Sequence, residues 1–145
     1  VSAPAGKLHK EYQSLAAFGK TAELAPGQRE TLELRFDLRE LASFREQDGA
    51  YILEAGEYVL RLGNSSRDTA PAAVLNLPRE VIVSRHSGVC PLHEPIRELH
   101  APARPRETFP AALPRLILDP AAFVPVAYTY GRTESKNRAD GTSDS

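Results

Sequence analysis

The stretch Ala50-Tyr51-Ile52-Leu53-Glu54-Ala55-Gly56-Glu57-Tyr58-Val59-Leu60-Arg61-Leu62-Gly63-Asn64-Ser65-Ser66 decides the fold. It joins a glycine-marked turn, a tyrosine opening the next segment, and strict alternation. From Glu57 to Gly63, Tyr58, Leu60 and Leu62 fall on one side and Glu57, Val59 and Arg61 on the other, the two-residue period of a half-buried strand. A tyrosine just after such a turn can bury its ring while its hydroxyl returns to the turn backbone, the arrangement called a tyrosine corner. The stretch therefore predicts a strand-turn-strand unit of an all-β sandwich, a scaffold and not a place of chemistry.

Upstream, two more extended segments are bounded by turn chemistry. Leu15 to Leu24 carries Leu15, Ala17, Phe18, Ala22 and Leu24 and stops at Ala25-Pro26-Gly27-Gln28, where proline presets the first turn position and glycine accepts positive φ. Arg29 to Leu38 alternates most cleanly, with Leu32, Leu34, Phe36 and Leu38 on one face and Thr31, Glu33, Arg35 and Asp37 on the other. Such a pattern predicts an antiparallel sheet with one covered and one wet face. Asp37-Leu-Arg-Glu40 has capping-box residue types with Asp in the usual Ser or Thr place, so a single helical turn is expected there. Gln47-Asp48-Gly49 turns the chain into a strand at Ala50 to Leu53. After a polar loop at Gly63 to Asp68, Ala73 to Leu77 and Val81 to Val83 read as one last strand, bent at Pro78.

Composition shifts after Arg85. Eight of the 12 prolines lie between Pro91 and Pro125, which breaks every candidate helix or strand there and reads as a stiffened linker or a strap lying on a partner surface. Leu116-Ile-Leu118 and Phe123-Val-Pro-Val126 are short apolar pieces able to dock. From Thr133 to Ser145 the residues are polar, small or charged, a composition that predicts disorder.

Length and charge narrow the function classes. The 145 residues, 41% hydrophobic and 26% charged, suit one domain with a real core. A net charge of -1 gives no electrostatic reason to expect nucleic acid or an anionic membrane. No apolar run approaches the roughly 20 residues that cross a bilayer. The single cysteine, Cys90, cannot form an internal disulfide and favours a reducing, cytoplasmic setting. The chain opens on Val1 and reads as a fragment, which leaves secretion open.

The motifs in order, Ser2-Ala-Pro-Ala-Gly-Lys7, Leu15-Ala-Ala-Phe18-Gly-Lys20, Leu24-Ala-Pro-Gly27, Glu54-Ala-Gly-Glu-Tyr58 and Gly63-Asn-Ser-Ser66, resemble the fibronectin type III-like domain of glycoside hydrolase family 3 β-glucosidases. The resemblance implies an immunoglobulin/fibronectin type III-like antiparallel sandwich lacking its first strands, with Val1 the last residue of the second. It implies a partial domain at 1–85, a proline-rich linker or strap at 86–132, and a disordered tail at 133–145. The residues beyond the domain resemble the permuted arrangement, in which a connector, here Pro110 to Tyr130, leads on to a catalytic barrel. The implied role is a non-catalytic accessory module that buttresses the catalytic domains of its parent enzyme and meets glycoside substrate only through that parent. The rival readings are a stand-alone fibronectin-type binding or adhesion module and, less favoured at 7% aromatic residues, a carbohydrate-binding module with coplanar exposed rings.

No catalytic, cofactor or metal residue is assigned. Retaining glycosidases need two carboxylates about 5 to 5.5 Å apart, and the resemblance places both in catalytic sequence this chain lacks. Glu30, Glu33, Asp37 and Glu57 alternate with apolar residues and read as solvated strand faces. His86, Cys90, His93 and His100 could supply zinc ligands, but their spacing fits no standard pattern and Pro91 and Pro95 constrain it. Surface histidines and a partly buried cysteine are the expectation. Asn64-Ser65-Ser66 matches a glycosylation sequon that the loop motif already explains. Tyr128 and Tyr130 could stack on a saccharide, yet read better as anchors of the strap. The loop Ser2 to Tyr12 brings Lys7, His9 and Lys10 together in sequence.

Overall fold

The computed structural model describes residues 1–87, 94, 109–129 and 132–133. Local turn chemistry sets its framework. At the Pro26-Gly27 turn the Gln28 amide donates to Ala25 O at 2.9 Å and Gly27 takes φ 84°. Asp37 accepts from the Arg39 amide at 2.9 Å and starts one 3-10 turn, Leu38–Leu41, the single turn its cap predicted. A second turn, Glu46–Asp48, separates β1 (Ser43–Arg45) from β2 (Ala50–Leu53). The hairpin follows as β3 (Gly56–Ser65) and β4 (Asp68–Leu77), and the chain continues as β5 (Val81–His86).

These strands and three later ones form an all-β, sandwich-like pair of mixed sheets. The later strands are β6 (Arg115–Ile117), β7 (Val126–Thr129) and β8 (Arg132–Thr133). One sheet runs β1-β2-β5-β7-β8 and the other β3-β4-β6. Leu53 and Val81 from the first sheet meet Tyr58 and Leu77 from the second as the buried core. Val1, Ala3, Leu38, Leu41, Leu118 and Phe123 pack around it. No helix among the described residues is long and apolar enough to cross a membrane.

Four expectations are corrected. Leu15 to Leu24 and Arg29 to Leu38 are extended but join neither sheet, and Leu15 and Phe18 are 81% and 84% exposed. The two limbs meet only locally, where the Ala22 amide donates to the Glu30 carboxylate at 2.9 Å and Leu34 lies against Gly19. Two strands without a third partner or a covered face do not hold a ladder in water.

The alternation in β3 is also interrupted. Tyr58 and Val59 are both buried, Val59 beside its equally buried cross-strand partner Val74, while Leu62 is 64% exposed. The register slips between Leu60 and Arg61, where the partner strand carries Pro71. Proline has no N–H to give the ladder, so the strands shift at that point and run on as a ribbon into solvent.

Finally, Ala73 to Leu77 and Val81 to Val83 are not one bent strand. β4 belongs to the three-stranded sheet and β5 to the five-stranded one, so Pro78 marks the crossover between sheets. The proline-rich segment, read as a linker or a strap on a partner surface, lies in its described part on the sandwich itself. There β6 pairs in parallel with β4, and β7 in parallel with β5. Of the tail, Thr133 pairs with Tyr128, and 134–145 lie outside the described residues.

Candidate functional site

Glu54 organises the best-built polar site. It leaves β2 at a turn, and its buried carboxylate accepts from the Lys7 amide at 2.8 Å and the Leu8 amide at 3.2 Å, and pairs with the Lys10 ammonium. Burial alone would push this carboxyl up. The Lys10 hydrogen bond, the two amide N–H groups and the Lys10 charge outweigh burial and hold it below the usual carboxylate range. The carbonyl of the same residue accepts from the Tyr58 hydroxyl at 2.9 Å, which is the tyrosine corner predicted. Burial first, and then the Glu54 charge, push the Tyr58 phenol well above its ordinary value, so it stays a neutral donor.

Two glycines make this interlock possible. A Cβ on Gly6 would lie 2.2 Å from Glu54 Oε2, and one on Gly56 would lie 2.6 Å from Pro4 Cβ, at a φ of 140° that favours glycine in any case. The Ser2–Lys7 and Glu54–Tyr58 motifs thus face each other residue by residue. A second strand-like contact locks them: Ser2 and Val59 exchange both main-chain hydrogen bonds at 2.9 Å.

A row of rings crosses the outer face of the five-stranded sheet. Phe44 and Tyr51 are cross-strand partners with centroids 5.2 Å apart, Tyr51 meets His86 edge-on at 5.3 Å, and His86 stacks on its partner Tyr128 at 4.8 Å and 12°. His86 Nε2 lies 2.9 Å from Ser84 Oγ. Phe44 and Tyr51 remain 47% and 41% exposed. Phe44 also walls a cleft of about 280 Å³ that His9, Glu11, Ser14 and Glu40 line with polar groups. Interplanar angles of 59° and 71° along the row rule out one flat platform. The row offers apolar contact area flanked by hydrogen-bonding groups.

The remaining candidates fall apart in space or have structural partners. Glu30 bonds the Ala22 amide, Glu33 pairs with Arg35 at 2.6 Å, Asp37 caps its turn, and Glu57 pairs with Arg115 of the strap. Of the histidine-cysteine set, His86 belongs to the ring row, and Cys90, His93 and His100 lie outside the described residues, as does Tyr130. Among the described residues no group of three His, Cys, Asp or Glu could hold a metal ion. Asn64 is exposed near the hairpin tip, skipped by the ladder between Gly63 and Ser65. Sequence reasoning missed Glu54 as the clamp on the Lys7–Lys10 loop. The available signal was its place in the Glu-Ala-Gly-Glu-Tyr motif.

The family model described as fibronectin type III-like domain matches residues 1–66. Residues 1–66 are a fibronectin type III-like domain. This domain is similar to parts of two curated enzymes. Beta-glucosidase A of Butyrivibrio fibrisolvens is 38% identical over 72 residues, 47% of this chain and 9% of that protein. Beta-glucosidase B of Emericella nidulans is 38% identical over 56 residues, 39% of this chain and 6% of that protein. The chain therefore spans less than a tenth of the length of these relatives. No solved structure matches it. The resemblance read from the order of motifs, to the fibronectin-like domain of family 3 β-glucosidases, is borne out.

Proposed function

We propose that the chain is a non-catalytic accessory module of a family 3 glycoside hydrolase, which buttresses the catalytic domains of its parent during carbohydrate breakdown. The observation that carries this reading is the interlock at Glu54. Of the residues that mark the family, Pro4, Glu54 and Tyr58 spend their side chains on packing and internal hydrogen bonds, and Gly6 and Gly56 leave the room those contacts need. A scaffold needs that, whereas a catalytic site needs free carboxylates at a set separation. The half-exposed rings Phe44 and Tyr51 supply a face suited to packing against a neighbouring domain. The lone Cys90 supports a reducing, cytoplasmic setting.

A graft tests the reading. In Beta-glucosidase A of Butyrivibrio fibrisolvens, the matched segment is either deleted or replaced by residues 1–66 of this chain. Deletion should lower both the melting temperature and the hydrolysis of an aryl β-glucoside, and the graft should restore most of each. Full activity and stability after deletion would argue against buttressing. Hydrolysis by the isolated chain would argue against a non-catalytic role.

A further inference from the structure

The strap lies outside the family match and makes regular main-chain contacts with both sheets. At its first contact Pro114 O accepts from the Val74 amide at 2.9 Å, the Leu118 amide donates to Asn76 O at 2.8 Å, and the Arg115 guanidinium pairs with Glu57. Asp119 then caps a single turn, Pro120–Ala122, through the Ala121 amide at 2.9 Å. Leu118 and Phe123, on either side of that turn, both pack against the core of Leu53, Tyr58, Leu77 and Val81. At the last contact β7 runs parallel to β5, the Ser87 amide donates to Tyr128 O at 3.2 Å, and the Tyr128 ring stacks on His86.

This is strand addition twice over, with two apolar plugs between. The sandwich contributes main-chain groups of β4 and β5 and the apolar surface of its core cluster, which together recognise an extended segment by shape and backbone hydrogen bonding. Covalent attachment is not part of that recognition. The 21 residues between Ser87 and Phe109 can span up to about 70 Å, so their length does not oblige the strap to dock on its own sandwich. We infer that the edges of β4 and β5, with the core surface against which Leu118 and Phe123 pack, form a strand-acceptor site that takes the 110–129 segment of a second copy as well as its own. Copies of the chain exchange straps. The inference does not depend on the accessory-module reading and can fail without it.

The test uses a fluorescein-labelled peptide of residues 109–130 and the full chain. A Leu118→Ala/Phe123→Ala chain, whose own strap has lost both plugs, should bind the wild-type peptide at least tenfold more tightly than the wild-type chain does. A peptide carrying the same two substitutions should lose that binding at least tenfold. Equal binding by both chains, with the variant still showing a cooperative unfolding transition, overturns the proposal. Should the variant fail to fold, amide exchange in the wild-type chain decides. The Val74 and Leu118 amides, held by the strap contact, should exchange together at least tenfold faster than the Val59 amide, which bonds Ser2. Exchange of all three at one rate means that the strap does not leave a folded sandwich, and the proposal falls.

Discussion

Glu54 fastens two parts of the chain at once, the Lys7–Lys10 loop through its carboxylate and Tyr58 through its carbonyl. Tyr58→Phe leaves that buried carbonyl without its donor, which costs about 1–3 kcal/mol. The expected reading is a lower urea midpoint with an unchanged slope. Glu54→Gln breaks a pair whose side chains are nearly buried, at a cost of roughly 2–4 kcal/mol at neutral pH. The pH dependence has a definite sign. The folded carboxyl titrates below its unfolded value of about 4.3. Its stabilisation is therefore complete above that value and is lost as the pH falls through the lowered folded value. Unfolding free energies measured from pH 7 down to 3 should show the wild type losing stability more steeply than Glu54→Gln at the acidic end. Parallel curves would mean that the Glu54 carboxyl is not lowered in the folded chain.

At the scale of elements, the strap divides cleanly into residues that support the core and residues that do not. Phe123 packs on the core cluster, whereas Ile117 is 73% exposed. Phe123→Ala should cost about 1–3 kcal/mol, although it lies far beyond the 1–66 family match, and Ile117→Ala should stay within about 0.5 kcal/mol. Thermal denaturation of the two variants checks this, and equal melting temperatures would contradict the docked strap. The elements legible in the sequence were those written in local chemistry: the Pro26-Gly27 turn, the Asp37 cap and the tyrosine corner at Tyr58. The parallel pairing of Val74 with Arg115 was not legible, because it uses main-chain groups that carry no side-chain signature and joins distant parts of the chain. Pro71 was visible, and its missing N–H forces the slip at Arg61, yet alternation alone projected an unbroken strand through it. Of the site, Tyr58 was read correctly and Glu54 was overlooked, since a carboxylate in a turn looks solvated until the loop that covers it is in place.

For the whole molecule, the two limbs on either side of the Pro26-Gly27 turn decide behaviour in solution. Their alternating leucines signal a strand that wants one covered face, and alternation cannot say whether a covering partner is present. Leu15, Phe18, Leu24, Leu32 and Leu34 all remain exposed, on extended backbone that joins neither sheet. Contiguous apolar surface of this kind drives association, and unpaired extended backbone offers a template for it. The purified chain should therefore self-associate as its concentration rises, seen as an increasing mass in light scattering behind a sizing column. A Phe18→Lys/Leu32→Lys/Leu34→Lys variant should lose the limb-dependent part of that rise and keep only what strap exchange contributes. Because these side chains contribute little to the core, its melting temperature should lie within a few degrees of the wild type. A large fall in melting temperature would instead show that the limbs are held against the sandwich in solution, and that their exposed leucines belong to the core. The strap-exchange variant, with its limbs unchanged, separates the two routes: association through the limbs survives in it, and association through exchanged straps does not.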